Sequence, residues 1–160
     1  MKKLLFTVIF VLLAATHIYA QQEAPITWSV SARMNSETEG TLYIRANIEN
    51  GWHLYSTSLP DGGPKPTSFV FSSTDGIKFE GSVKAKSKAI ESLDSQFGIT
   101  LSYYEETALF TRSFRIVPGT KDGEIQVKVT FMGCNDQTCL PPNTVNLKLS
   151  QSKFRLNKKK

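Results

Sequence analysis

Strict alternation of apolar and polar residues recurs along this 160-residue chain and restricts its fold more than any other feature. Ile26, Trp28, Val30 and Ala32 alternate with Thr27, Ser29 and Ser31. Leu42, Ile44, Ala46 and Ile48 alternate with Tyr43, Arg45 and Asn47. The same holds for Ile125, Val127, Val129 and Phe131, and for Val145, Leu147 and Leu149. A period of two sends successive side chains to opposite faces of an extended strand, so each run predicts a strand with one face buried and one in water. Shorter strands are predicted at Ser68–Phe71, Ile77–Lys84 and Ala108–Val117. Turn chemistry separates the runs: Asn50-Gly51, Asp61-Gly62-Gly63-Pro64, Asp75-Gly76, Pro118-Gly119 and Asp122-Gly123. Seven or so short strands with almost no helix predict an all-β chain, an immunoglobulin-like antiparallel β-sandwich. One segment breaks the alternation. Within Lys86–Phe97, Ile90, Leu93 and Phe97 recur at spacings of three and four, which suits a short helix or an irregular loop with buried anchors. Ser87, Ser92, Asp94 and Ser95 are poor helix residues and favour the loop.

The first residues read as a processing segment. Met1-Lys2-Lys3 is positively charged, Leu4 to Ala15 is apolar except for Thr7, and Ile18-Tyr19-Ala20 ends on a small residue. The apolar run is too short to span a bilayer comfortably. Residues 1–20 are therefore expected to be a cleaved signal peptide, residues 21–152 the folded domain and residues 153–160 a basic tail. Export implies the bacterial periplasm. No cysteine near the cut predicts a lipid anchor, and no second apolar stretch predicts a membrane anchor.

Charge adds little once it is located. Lys and Arg number 19 against 14 Asp and Glu; without Lys2 and Lys3 the basic residues are 17. Five of those are Lys153, Arg155, Lys158, Lys159 and Lys160, so the remainder holds 12 basic against 14 acidic residues. The basic character belongs to the tail. Nucleic acid binding needs basic residues spread over a folded face, so no nucleic acid partner is expected.

The two cysteines carry the chemistry. Cys134 and Cys139 sit in the run Phe131 to Pro142, between two strands, with four residues between them. An exported chain meets an oxidising compartment, in which such a pair can form a disulfide. Closing so short a loop restricts the unfolded chain by about 2 kcal/mol, against about 5 kcal/mol for a very long loop. A structural staple would achieve more between distant strands. A local pair at a loop suits exchange, which needs an accessible sulfur and a second thiol to resolve the mixed disulfide. Spacing alone leaves a hairpin staple and a redox pair equally open.

The segment Gly133-Cys134-Asn135-Asp136-Gln137-Thr138-Cys139-Leu140-Pro141-Pro142 resembles the active-site segment of the N-terminal periplasmic domain of the thiol:disulfide interchange protein DsbD. Gly51-Trp52-His53-Leu54-Tyr55 is similar to that family's aromatic strand beside the cysteines, and Asp94-Ser95-Gln96-Phe97-Gly98 to the cap loop whose aromatic residue covers the disulfide. The similarity spans most of the chain after residue 20, and the family's fold is an immunoglobulin-like sandwich. The resemblance implies a thiol:disulfide oxidoreductase of the protein-disulfide reductase type, working without a cofactor. In that role Cys139 enters mixed disulfides with partners and Cys134 resolves them. Phe97 is the implied cap, Tyr55 and Trp52 the aromatic wall, and Asp94 a residue that positions the cap or tunes the thiols. Three departures stand out. The family has five residues between its cysteines, and its cap has two adjacent aromatics where this chain has one. The chain ends at Lys160, without the membrane-spanning carrier and thioredoxin-like domain that follow in the family. The expected partners are therefore separate chains: thioredoxin-like periplasmic proteins and a membrane electron transporter.

Other constellations carry less. A metal site from Cys134, Cys139 and His53 lacks a fourth ligand. Glu105-Glu106 reads as a solvated turn. The rival to exchange is a non-catalytic exported binding module whose disulfide pins a loop.

Overall fold

The computed structural model describes residues 24–156, so the signal peptide expected over residues 1–20 and the last four residues of the chain lie outside the described residues. In chain order the strands are β1 (Ile26–Met34), β2 (Glu39–Ile48), β3 (His53–Tyr55), β4 (Ser68–Ser73), β5 (Ile77–Ala85), β6 (Ile90–Asp94), β7 (Ile99–Tyr104), β8 (Thr107–Ile116), β9 (Glu124–Phe131), β10 (Gly133–Cys134), β11 (Asn143–Ser150) and β12 (Arg155–Leu156), with a single 3-10 turn at Gln151–Lys153. They form three sheets of order β12-β1-β2-β8-β5, β10-β3-β7-β6 and β11-β9-β4. The fold is the all-β, immunoglobulin-like sandwich expected from the alternation.

Each alternating run has its apolar set turned inward. In β2, Leu42, Ile44, Ala46 and Ile48 are buried, and in β9, Ile125, Val127, Val129 and Phe131 are buried. A one-residue slip would turn either set to water, so the register follows from the pattern. The five-stranded and three-stranded sheets face each other across one core. Trp28 of β1 lies between them, its ring 6.1 Å from Phe69 of β4, 6.1 Å from Phe110 of β8 and 5.3 Å from Phe131 of β9. Such offset and tilted aromatic contacts contribute beyond the area they bury. The outer strand β5 loses register with β8 between Glu80 and Lys84.

Two expectations need correction. Lys86–Phe97 is no helix, and its middle is a strand where a loop was expected: β6 pairs antiparallel with β7 from Ile90↔Tyr103 to Asp94↔Ile99, with irregular chain before it and a turn after it. Ile90 and Leu93 point largely to solvent, 41% and 70% exposed, so their helix-like spacing marks no packing face. A sheet-edge strand needs only its backbone partner, and apolar periodicity says nothing about such a strand. The tail also begins later than residue 153. Phe154 packs on Phe114 with ring centres 5.3 Å apart, and Arg155 and Leu156 pair in parallel with Arg33 and Met34.

Candidate functional site

The site is assembled where β10 meets β3. Gly133 and Cys134 pair with Leu54 and His53, and Leu54 and Tyr55 pair in turn with Tyr104 and Tyr103 of β7. Gly133 also lets β10 lie close against β1, because a Cβ there would fall 2.6 Å from the Ile26 side chain. Immediately after it, Cys134 and Cys139 form a disulfide with their Cα atoms 4.0 Å apart. Four intervening residues suffice because Asn135 builds the turn. Its side-chain oxygen accepts from the backbone N–H groups of Gln137 at 2.9 Å and Thr138 at 2.8 Å. Its own N–H donates to Thr138 O at 2.9 Å, and Leu140 N–H donates to Gly133 O at 2.9 Å. The side chain thus supplies the acceptor that a longer loop would find in its backbone.

The two sulfurs differ in access. Cys134 is 0% exposed and belongs to a small apolar cluster with Tyr55 and Leu101, whereas Cys139 lies only partly buried at its rim. Phe97 packs on the same cluster, edge-on to Tyr55 with ring centres 6.2 Å apart. Trp52 does not join it. Trp52 and Leu54 turn toward the main core, while Tyr55, on the opposite face of the strand, meets the cysteines. The expected aromatic wall is therefore divided by the same period of two that organises the sandwich.

Phe97 is carried by the turn between β6 and β7, and Asp94 builds that turn. One carboxylate oxygen accepts from the N–H groups of Gln96 at 2.9 Å and Phe97 at 3.2 Å, and the other from the Tyr55 hydroxyl at 2.7 Å. Gly98, at φ +69°, donates its N–H to Asp94 O at 2.7 Å. A side-chain acceptor followed by a left-handed glycine is an economical way to close such a turn. Burial alone would raise the pKa of Asp94, but the Tyr55 hydroxyl, the two backbone donors and nearby His53 together hold it below the ordinary value. Burial, reinforced by the Asp94 carboxylate, holds the Tyr55 phenol well above its ordinary range.

The turn also reaches the cysteine loop directly. The Gln96 side-chain N–H donates to the Asn135 carbonyl at 2.9 Å, and the Gln96 amide oxygen lies 3.3 Å from the Cys139 sulfur. Neither Gln96 nor Asn135 had a role on sequence grounds. Asn135 was findable as a turn former directly after a cysteine; Gln96 is meaningful only once the two loops are seen to touch. His53 stands beside them, its ring 4.8 Å from that of Tyr103 and its Nε2 buried without a hydrogen-bond partner. Burial lowers its pKa, against the opposing pull of Asp94, Glu105 and Asp136. Among the described residues, no group of three or more His, Cys, Asp and Glu side chains is placed to hold a metal ion. No helix among them is long and apolar enough to cross a membrane.

A β-sandwich with a disulfide at the mouth of one hairpin, one sulfur buried and the other reachable, defines a thiol–disulfide redox module. The family model for the N-terminal part of the thiol:disulfide interchange protein DsbD matches residues 17–151, and the chain belongs to that family. Among solved structures it is similar to the N-terminal periplasmic domain of ScsB from Proteus mirabilis, with 12% identity, a TM-score of 0.61, and coverage of 84% of this chain and 49% of that one. The chain therefore spans about half the length of that ScsB domain. It is also similar to the reduced DsbD N-terminal domain of Neisseria meningitidis, with 19% identity, 76% and 83% coverage and a TM-score of 0.46. In a complex between the DsbD and PilB N-terminal domains of the same organism, a matching chain shows 16% identity, 76% and 80% coverage and a TM-score of 0.45. No curated protein sequence matches significantly.

Proposed function

We propose that this protein is a periplasmic thiol:disulfide oxidoreductase that passes reducing equivalents through Cys134 and Cys139 to or from thioredoxin-like partners. Residues 1–20 direct export, the working domain follows from residue 21, and a membrane electron transporter is a further exchange partner. The observation that carries this reading is the unequal access of the two sulfurs, Cys134 fully buried and Cys139 partly exposed. A mixed disulfide forms only at a sulfur that a partner can reach. Cys139 is therefore the exchanging residue and Cys134 the resolving one.

Starting from the reduced pair, the Cys139 thiolate attacks a partner disulfide, whose S–S bond breaks and whose leaving thiolate takes up a proton. Cys134 gives up its proton and attacks the Cys139 sulfur in the mixed disulfide. The second partner thiol is released and the Cys134–Cys139 bond forms. Two electrons and two protons pass to the partner, and a dithiol donor attacking Cys139 runs the sequence backwards. No cofactor takes part. Phe97 is the cap over the pair, held by Asp94 and Tyr55, and limits stray oxidation until a partner displaces it.

Two measurements test this. The equilibrium potential of the pair is expected between about −180 and −270 mV, the range of exchange proteins. Cys139→Ala should abolish turnover, and Cys134→Ala should accumulate a mixed disulfide with a thioredoxin-like protein. A potential below about −300 mV, typical of structural bridges, together with equal behaviour of the two variants, would make the chain a non-catalytic binding module.

A further inference from the structure

We infer, on the basis of the exchange reading above, that Gln96 is a positioning residue for Cys139: its amide ties the turn carrying Phe97 to the cysteine loop and accepts a hydrogen bond from the Cys139 thiol when the pair is reduced. The orientation of the amide follows from its partners. The Asn135 carbonyl can only accept, so the Gln96 nitrogen must face it, at 2.9 Å. The Gln96 oxygen is thereby turned to the Cys139 sulfur at 3.3 Å. In the disulfide that sulfur has no hydrogen, and the contact contributes no hydrogen bond. Reduction by a partner dithiol, which itself becomes a disulfide, breaks the Cys134–Cys139 bond and places one proton on each sulfur. The Cys139 thiol then finds an acceptor already in place.

The consequence depends on state. The tie to Asn135 persists through the cycle. The bond to sulfur exists only in the reduced thiol and is lost again in the thiolate, where an oxygen lone pair faces a negative sulfur. Gln96 therefore favours the reduced pair over the disulfide and the thiol over the thiolate, because a hydrogen bond to the neutral form opposes ionisation. Around the same loop the titratable groups are His53 and Tyr55 on β3, Asp94 at the end of β6, Tyr103 on β7, Glu105 just after it, and Asp136 within the loop. None of these groups is itself replaced when Gln96 alone is changed. Gln96 is exposed, so its replacement opens no cavity.

The test compares wild type with Gln96→Leu and Gln96→Glu. Two quantities are read: the equilibrium of the pair against a dithiothreitol series, and the pH dependence of alkylation at Cys139, resolved from Cys134 by peptide mass spectrometry. Gln96→Leu removes both contacts. It should shift the equilibrium toward the disulfide by about three- to fivefold, allowing for a weak S–H donor, or roughly 15–20 mV, and lower the Cys139 pKa. Gln96→Glu retains an oxygen at the sulfur and adds charge, so it should raise the Cys139 pKa above wild type. A loosened turn alone would move both variants in the same direction. That result, or a leucine variant indistinguishable from wild type, overturns the inference while leaving exchange intact. A wild-type protein that fails to exchange with thioredoxin-like dithiols overturns the exchange reading itself.

Discussion

Two apolar clusters share this molecule and are held together differently. The larger fills the sandwich with nineteen buried residues, nearly all carbon. The smaller, at the cysteine end, has three buried residues, Tyr55, Leu101 and Cys134, ringed by half-buried ones. With so little burial the small cluster cannot rest on the hydrophobic effect alone. Hydrogen bonds hold it in place: Asp94 to Tyr55 and its own turn, Asn135 to its own loop, Gln96 between them. Close packing resists change and rarely opens, whereas a few polar contacts at a rim can break and re-form without disturbing the rest. Stability and reactivity are thus assigned to different regions of one small domain.

That division can be broken by experiment. The largest effect is expected in the sandwich. Phe110 is fully buried and touches Trp28, Phe69 and Tyr104; Phe110→Ala should cost about 3–5 kcal/mol in urea unfolding, with native-state alkylation of reduced Cys139 unchanged. Faster alkylation in that variant would mean the two regions are not independent. A smaller effect is expected at the rim. Tyr55→Phe deletes one hydrogen bond to a carboxylate, about 1.5–3 kcal/mol, and should speed alkylation of Cys139 several-fold while the ring keeps its packing. An unchanged rate would deny Asp94 and Tyr55 any hold on the turn that carries Phe97.

The smallest effect concerns pH. His53 has a lowered pKa in the folded protein, so below its unfolded value of about 6.5 the unfolded chain binds more protons. Stability should fall as pH drops through that value, and His53→Phe should flatten the slope between pH 7.5 and 5.5. Asp94 acts in a lower window: its lowered pKa stabilises the fold above about 3.8 and is lost on further acidification. Parallel slopes for wild type and His53→Phe would show that the histidine titrates alike in both states.

The same contrast explains what the sequence discloses. Long strands that bury one face, such as β2 and β9, write that burial into a period of two and were legible. The strands of the small region were not. β3 and β10 are three and two residues long, too short to display a period, and β6 has no buried face to encode. The cysteines were visible by chemistry, and the segment around Asp94 and Phe97 by family resemblance. Trp52 was assigned to the wrong side because it precedes a strand only three residues long, too short a frame to show which face an adjoining aromatic takes. Gln96 was invisible for a further reason: its partners come from a loop 39 residues away, and no local pattern records such a meeting.

The outer strand β5 has a consequence of another kind. A free strand edge exposes unused N–H and C=O groups in a row, an invitation to neighbouring molecules in a crowded compartment. Here the edge carries Lys78, Glu80 and Lys84, and its ladder breaks between Glu80 and Lys84. A second molecule laid along it would meet charges and a kink instead of a straight template. The irregularity that interrupts the ladder thus also makes this edge a poor template for a second molecule.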